Sequence, residues 1–549
     1  MLNTAILACL ATVGAGVSTP ARAQDGGTSL PDMGSSAAQI ITPAEQDQYG
    51  LMTFRELRKE GLVLDDPLLE DWLQGIGERL GAHSNKPTQK FHFFIVKSRD
   101  INAFATLGGY VAVNAGLIIA TTSEDELAGV MAHEIAHVTQ NHVLRAVERQ
   151  SKAQVPIVLA MLAAIVLSSR SSSDSAGNAG EAAIAAGTGL MAQQAIDFTR
   201  DNETEADHLG IQTLARSGYD PVAMATFFQR LQAAYRSNEG QGKYKVPDFL
   251  IDHPVTSTRI SDAFDRARQI KLREQATPPP AALPSSGNLL LPADLSVATA
   301  TLAAPTLRRG IDYLWARERL RVLSANTPAQ AVREYQQMAA KKPLDDAQRY
   351  GLAYAHLRAG DEAAALQELA PVQAAHPDSL WLQISLGEAE AKAGRIAEAD
   401  KRFETLLARM PTHRALALSY AQVLAERNSK ASGARAVAVL RPLLATTAND
   451  ALFQQTYARA NEIAGDDVRA GEAWAEAAYL GGRPEQALVQ LNNLKKRGNL
   501  DYYARSRIEA RIAAITPTVL ELRRQGVRDE DATGRWRLGV RAGERADGW

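Results

Sequence analysis

Two histidines and a glutamate near the middle of the first half of the chain could together hold a metal ion and move a proton. His133, Glu134 and His137 form the pattern H-E-x-x-H. On a helix, residues four positions apart share a face, so both imidazoles can reach one metal ion. Glu134 is then placed to act as general base toward an attacking water molecule. An ordinary helix with two histidines is the alternative, so further ligands must be sought.

A catalytic zinc site needs three protein ligands and one open position. Glu203 and Asp207 lie four residues apart in a helix predicted to open at Thr199. A carboxylate from this helix would complete a His-His-Glu set, and Asp207 could accept a hydrogen bond from a ligating histidine. Spacing alone supports this weakly, because acidic pairs four residues apart usually form a solvated face. Glu205 is predicted to lie on the surface, and His142 to lie off the ligand face.

Helices and a short sheet are predicted to position these residues. Ser123 and Glu126 have the spacing of a capping box, which predicts that the motif helix starts just upstream of Leu127 and runs to about Gln150. Its apolar side would hold the imidazoles at a fixed separation. The other predicted elements are helices over 43–60 and 67–80 and strands over 91–96 and 110–114. The fold class predicted is a mainly helical α+β protein, with a zincin-like metalloprotease domain over 41–273.

The amino-acid composition limits the possible metal ligands and the possible binding partners. The hydrophobic content of 46% and the charged content of 22% are typical of a globular protein, and the net charge of -2 gives no reason to expect nucleic acid. Cys9 is the single cysteine, so histidine and carboxylate are the available ligands. The apolar runs 155–167 and 182–195 are too short to cross a bilayer. They favour a core helix pair over an interfacial contact, so at most peripheral membrane contact is expected.

The N-terminal segment predicts export. Residues 2–18 are apolar and small, and Ala21 to Ala23 fit a signal-peptidase site, which predicts a signal peptide over 1–23 and a flexible leader over 24–40. No basic residue precedes the apolar core, which departs from the usual pattern. A lipoprotein cleaved before Cys9 is the alternative, but its apolar region would be too short.

The second half of the chain has a period of 34 residues. Pro343, Pro377 and Pro411 share this spacing, as do Gly360 and Gly394. Helix, glycine turn, helix and terminal proline at this length predict tetratricopeptide repeats. We expect six helix pairs forming an α-solenoid over 308–525, after a proline-rich linker over 274–307 and before a disordered tail over 526–549. Such stacks bind peptides or partner proteins; a purely structural arm is the alternative.

The motif residues carry a family resemblance. A-H-E-x-x-H, followed by N-E-x-E-A-D-x-x-G from Asn202 to Gly210, resembles the zinc metallopeptidases related to the CAAX prenyl protease and HtpX. The resemblance implies one zinc ion per chain, held by His133, His137 and Glu203, with Asp207 orienting a ligand. It also implies that an edge strand binds an extended peptide by strand addition. The resemblance to that edge is carried by residues 102–105, by the pair Gly108-Gly109 and by the strand through Asn114. The residues predicted to bind the peptide are Gly109, Tyr110, Val111, Ala112 and Val113.

The same resemblance extends to His253 and to the function. The segment from Leu250 to Pro254 is similar to one in the family where a histidine approaches the zinc. His253 is therefore either a transition-state donor or a fourth ligand that closes the site, although a His-Pro in a loop is most often a turn residue. The resemblance implies an exported zinc endopeptidase with a chaperone-like role. It would degrade or assist misassembled outer-membrane β-barrel proteins, with the β-barrel assembly machinery as partner of the repeats. The alternative is a non-proteolytic scaffold with a closed or vestigial metal site.

Overall fold

The computed structural model describes five stretches of the chain, 41–148, 200–238, 247–276, 304–498 and 500–524. Several sequence predictions fall wholly outside these residues. They are the signal peptide over 1–23, the leader over 24–40, the apolar runs 155–167 and 182–195, and the tail over 526–549.

The described residues up to 276 form a three-stranded sheet and nine α-helices. The strands are β1 (His92–Val96), β2 (Ala103–Ala105) and β3 (Tyr110–Asn114). The helices are α1 (Pro43–Lys59), α2 (Pro67–Ala82), α3 (Ala115–Ala120), α4 (Glu124–Thr139), α5 (His142–Glu148), α6 (Arg200–Arg216), α7 (Val222–Asn238), α8 (Asp248–Asp252) and α9 (Ser257–Ala276).

The motif helix α4 is shorter than predicted. It starts as expected, because Oγ of Ser123 accepts a hydrogen bond from the amide of Glu126 at 3.3 Å. It ends at Thr139 and not near Gln150, since Asn141 adopts a left-handed conformation with φ of 56°. Asparagine tolerates this conformation better than most residues. The turn changes the direction of the chain, so α5 begins at His142 as a separate helix.

The strand predicted to be a substrate-binding edge is the centre of the sheet. The strand order is β1-β3-β2, with β1 parallel and β2 antiparallel to β3. All five residues of β3 are buried, as is usual for a strand covered on both faces. The edge prediction for Gly109 to Val113 is therefore wrong, because neighbours occupy both sides of β3. Of the strands described, β2 is an edge strand and lies against α4.

The core around α4 is apolar, and Glu124 is one of two buried carboxyl groups in the first turn of the helix. The helix packs against α2, α6 and α7 through residues such as Leu127, Met131 and Ile135. Oε2 of Glu124 accepts a hydrogen bond from the indole of Trp72 at 3.3 Å, and its Oε1 accepts one from the hydroxyl of Tyr219 at 3.1 Å. Glu124 thus ties the first turn of α4 to α2 and to the segment after α6.

The described residues from 304 onward are helical. The helices are α10 (Ala304–Leu323), α11 (Pro328–Ala339), α12 (Asp346–Ala359), α13 (Glu362–Ala375), α14 (Leu380–Lys392), α15 (Ile396–Arg409), α16 (Arg414–Glu426), α17 (Lys430–Leu440), α18 (Ala451–Ala464), α19 (Asp467–Leu480), α20 (Pro484–Lys495) and α21 (Tyr502–Arg524). The predicted linker was too long at both ends, because residues 274–276 and 304–307 are helical. Within the described residues, no helix combines the length and the apolar character that a membrane span requires.

Left-handed residues mark the turns of this helical arm. Gly360 and Gly394 have φ of 80° and 77° and end α12 and α14. Asn428 (φ 48°) occupies the next position at the same spacing of 34 residues, where a pattern of glycines alone did not reveal it. Gly465 and Gly482, which the sequence suggested as later turns, are also left-handed. A residue in the left-handed conformation therefore recurs at the turns of the arm, and it is either glycine or asparagine.

The arm packs on the part of the chain that carries the motif. The buried guanidinium of Arg319 lies 2.8 Å from Oδ2 of Asp66, the residue that caps α2. Further along, Arg414 binds Glu70 at 2.6 Å and Asp71 at 2.8 Å, again on α2. Because α2 packs directly against α4, these ion pairs hold the arm in a defined position relative to the motif helix.

Loss of the buried Arg319–Asp66 pair should destabilise the protein strongly. In Arg319→Met the Asp66 carboxylate stays buried without its cation, and breaking such a pair costs about 3–5 kcal/mol. Urea denaturation measures this loss. The matched control is Arg469→Met, whose ion pair with Glu472 is on the surface and should cost under about 1 kcal/mol. Equal losses in the two variants would contradict the role given to Arg319.

Glu124 should make the stability fall as pH rises. Burial raises its pKa from 4.5 to about 7, against the hydrogen bonds from Trp72 and Tyr219. Between those pH values the folded protein keeps a proton that the unfolded chain releases, so stability is lost across this window and constant above it. Glu124→Gln lacks this effect. The free energy of unfolding of the variant minus that of the wild type should increase by about 2–3 kcal/mol between pH 4.5 and pH 7.5. A difference that does not change with pH would refute the assignment.

Candidate metal centre

Helix α4 presents its two motif histidines to one buried point. His133, Glu134 and His137 are each at most 1% exposed. The Nε2 atoms of the two imidazoles lie 3.0 Å apart, with the ring planes at 68°. Both rings therefore direct the same nitrogen toward a shared centre, which is the arrangement that spacing by four residues on a helix allows.

Helix α6 brings a carboxylate to the same centre. Oε2 of Glu203 lies 3.5 Å from Nε2 of His133, and its Oε1 lies 3.5 Å from Nε2 of His137. The two helices approach closely at Gly210, where an added Cβ would come within 3.1 Å of the backbone nitrogen of His133. A larger residue there would push α6 away and withdraw the carboxylate from the histidines.

His253 enters the centre from the end of α8. Its Nδ1 lies 3.1 Å from Oε1 of Glu203 and 3.4 Å from Nε2 of His133. Its Nε2 lies 3.5 Å from Oε1 of Glu134. One potential ligand atom from each of His133, His137, Glu203 and His253 lies within 4.8 Å of all the others, and all four residues are buried.

The segment that carries His253 is tied to the start of the edge strand. The amide of Phe249 donates to the carbonyl of Ile101 at 3.0 Å, and the side-chain amide of Asn102 donates to Asp252 at 2.8 Å. Because Asn102 immediately precedes β2, these two hydrogen bonds join the edge strand to the segment that carries His253.

One arginine pairs with the two buried carboxylates of α6. The guanidinium of Arg259 donates to both oxygens of Asp207, at 2.7 and 2.8 Å, and lies 2.8 Å from Oε2 of Glu203. It also donates to the carbonyl of Pro254, next to His253. Burial alone would raise the pKa of Asp207, but the hydrogen bonds from Arg259 and the contact with His133 lower it. Asp207 is therefore an anion although it is buried.

The buried carboxylates and the histidines shift each other's pKa values. Oδ1 of Asp207 lies 3.0 Å from Nδ1 of His133. Burial alone would lower the pKa of His133, but the contacts with Asp207 and Glu203 raise it to about 9. Burial also raises the pKa of Glu203, yet the neighbouring His253 and His133 hold it well below its usual range. The centre thus favours positive charge, which a divalent cation can supply.

Glu134 has the environment of a proton acceptor. Its Oε1 is buried and makes no hydrogen bond within the part of the chain that the structure describes. Burial raises its pKa, against the effect of His253 and His133. A carboxylate with a raised pKa beside a metal site is suited to general base catalysis near neutral pH.

Three residues of this centre were not assigned a role from the sequence. Arg259 follows His253 by six residues, but a lone arginine in a helix gives no pattern. His142 is fully buried, and its Nδ1 lies 2.9 Å from Nδ1 of His137. Glu205 is half-exposed and bonds to His142 at 3.1 Å, so it is not a free surface residue. The third histidine of A-H-E-I-A-H-V-T-Q-N-H was the available signal for His142.

Comparison with known proteins identifies the family of this part of the chain. The model of peptidase family M48 matches residues 67–267, which include the motif helix, α6 and His253. A relative from Vibrio cholerae is 42% identical over 250 residues, 46% of this chain, and the match spans half of that relative's length.

Two relatives from Escherichia coli are named proteases. The metalloprotease LoiP is 29% identical over 194 residues, 35% of this chain and 69% of the relative. The beta-barrel assembly-enhancing protease of strain K12 is 31% identical over 493 residues, 89% of this chain and 91% of the relative. A match of that identity over nine-tenths of both chains shows common descent, including the helical arm. The chain therefore belongs to peptidase family M48 and is a metalloendopeptidase.

Proposed function

We propose that the centre holds one zinc ion through Nε2 of His133, Nε2 of His137 and the carboxylate of Glu203. The donor set supports zinc, because nitrogen and carboxylate ligands from three residues are typical of its catalytic sites. The distances support it as well. A tetrahedral site with bonds of about 2.0–2.2 Å has ligand atoms about 3.3–3.6 Å apart. The two distances from Glu203 to the histidines are 3.5 Å, and the two histidine nitrogens lie closer together, at 3.0 Å.

The proposed reaction is hydrolysis of internal peptide bonds. When bound, zinc supplies Lewis acidity for the scissile carbonyl and for water. Glu134 takes a proton from the attacking water and then transfers it to the leaving amine. The observation that carries this proposal is the buried Glu134 carboxylate beside the converging donors of His133, His137 and Glu203.

We propose that His253 is a fourth ligand that keeps the resting site closed. Its Nδ1 lies 3.4 Å from Nε2 of His133, a separation expected between ligands of one ion, and 3.1 Å from Oε1 of Glu203, which is slightly shorter. Its other nitrogen faces Glu134, so the ring also occupies the space next to the base. Cleavage then requires His253 to leave, because water needs the fourth position.

The edge strand β2 is the proposed substrate-binding strand, in place of β3. The amides of Asn114 and Thr106 donate to the carbonyls of Asn102 and Tyr110, so the even-numbered residues around β2 hydrogen bond to β3. In an antiparallel pair the alternate residues then point the other way. The backbone groups of Ala103 and Ala105 consequently face the outer edge. The amide of Ala103 already donates to Oδ1 of Asn102 at 2.9 Å, so the carbonyl of Ala103 and the backbone groups of Ala105 are the ones to which an extended peptide could add a strand.

The substrates proposed are misassembled outer-membrane β-barrel proteins, with the β-barrel assembly machinery as partner. The name of the Escherichia coli relative supports this class, and unpaired strands of such proteins would suit an open strand edge. The arm is proposed to be a tetratricopeptide-repeat solenoid that recognises these partners, on the basis of its paired helices and left-handed turns at 34-residue spacing. Export to the periplasm through a signal peptide over 1–23 belongs to the same proposal, as do the domain limits 41–273 and 308–525.

Replacing the proposed base should greatly slow cleavage while leaving zinc binding intact. With an unfolded outer-membrane β-barrel protein as substrate, Glu134→Gln should lower kcat by about 10²–10⁴-fold. Zinc content and melting temperature should stay close to those of the wild type, because Glu134 is not a proposed ligand. Glu78→Gln, on the exposed side of α2, is the matched control for loss of a carboxylate. If the wild type and Glu134→Gln rescue the assembly of this substrate equally and neither cleaves it, the protein is a scaffold and the protease proposal fails.

Removing the fourth ligand should activate the enzyme. His253→Leu frees the position that water needs, so proteolysis of the same substrate should rise above the wild-type rate. The gain must vanish in the double variant His253→Leu/Glu134→Gln, since the base is still required. A clear fall in activity would instead assign His253 as a transition-state donor, and an unchanged rate would contradict both roles.

A further inference from the structure

We infer that Glu205 and His142 form a hydrogen-bonded relay that positions His137 for metal binding. This inference rests on the proposed metal site and adds two positioning residues to it. In this relay the carboxylate of Glu205 holds the His142 ring, and the His142 ring holds the outer nitrogen of His137. Neither residue touches the substrate or the proposed ion.

The distances define a continuous path. Nδ1 of His137 lies 2.9 Å from Nδ1 of His142, and Nε2 of His142 lies 3.1 Å from Oε2 of Glu205. The two imidazole rings meet edge to face, with centroids 4.8 Å apart and an interplanar angle of 78°. His142 is fully buried, whereas the side chain of Glu205 is 39% exposed. The path therefore leads from the buried centre to solvent through one ring.

The donors and acceptors along this path have one consistent assignment. Nε2 of His137 faces the metal centre and must present a lone pair, so the proton of the neutral ring lies on Nδ1. That N–H can donate only if Nδ1 of His142 accepts. The proton of His142 is then on Nε2 and donates to the Glu205 carboxylate, an acceptor when ionised. Glu205 thus selects the tautomer of His142, and His142 selects that of His137.

The relay gives the two motif histidines equivalent support. Nδ1 of His133 contacts the carboxylate of Asp207 directly, and Nδ1 of His137 reaches the carboxylate of Glu205 through His142. Both carboxylates belong to α6, which also carries Glu203. The left-handed turn at Asn141 makes the second path possible, because it starts α5 at His142 and returns that ring to α4.

Metal affinity tests the relay. His142→Leu removes the acceptor for the His137 N–H, and loss of such an outer partner should weaken zinc binding about 10- to 100-fold. In His142→Asn the side-chain oxygen branches from the same position as Nδ1 and can accept that N–H. It should restore zinc binding to within about threefold of the wild type, while Glu205→Gln should weaken binding by about threefold to tenfold. Competition with a zinc chelator measures each dissociation constant.

Two further measurements separate positioning from general stability. In the cobalt(II)-loaded protein the visible absorption bands should shift in His142→Leu and return in His142→Asn, because they report the orientation of His137. The matched control is His208→Leu on α6, the helix that also carries Glu205. This change breaks a histidine–carboxylate pair with Asp262, at 2.8 Å, that lies outside the metal centre. It should leave the zinc dissociation constant unchanged.

Defined outcomes would overturn the relay. Zinc binding by His142→Leu within about twofold of the wild type would reduce His142 to a packing residue, as would lower melting temperatures without any change in metal affinity. Binding by His142→Asn as weak as by His142→Leu would also contradict it. A wild-type protein that binds no zinc would instead refute the proposed metal site, so the two failures are distinguishable.

Discussion

Burying two carboxylates against two imidazoles is the constraint on which the rest of this structure depends. Glu203 and Asp207 are each about 2% exposed, and isolated carboxylates at that depth would be protonated or would destabilise the fold. Arg259 compensates part of their charge through three contacts within 2.8 Å. The remaining negative charge faces the donor nitrogens of His133 and His137. The folded chain is therefore prepared for a cation before any cation binds.

The surrounding elements keep this charged centre in place. Glu124 ties the start of α4 to α2, and α2 is in turn held by the arm through Asp66 and Arg319. The approach of α6 to α4 depends on Gly210. At the opposite side, Asn102 and Ile101 hold the segment that carries His253 next to the edge strand. One connected set of contacts thus joins the helical arm, the edge strand and the candidate metal centre.

Local pattern was sufficient for most of the helices and strands and insufficient for their pairing. Helices α1 and α2 and strand β3 lie within two residues of their predicted bounds, because capping residues and apolar periodicity are properties of short segments. The position of β3 within the sheet was predicted wrongly, since it depends on which distant strands pair with it. The end of α4 was also missed, because a single left-handed Asn141 stops a helix whose apolar pattern continues.

The sequence by itself determined the chemistry of the motif, because His133, Glu134 and His137 need only one turn of helix to share a face. The 34-residue spacing of the arm was determined in the same local way. Glu203 came from a family resemblance, and His253 was left between two roles. Only the tertiary structure brought His253 to the same centre, paired Arg259 with Glu203 and Asp207, and placed His142 between His137 and Glu205. These contacts join residues 50 to more than 100 positions apart along the chain, apart from the His137–His142 contact, which the Asn141 turn creates. No short-range pattern records them.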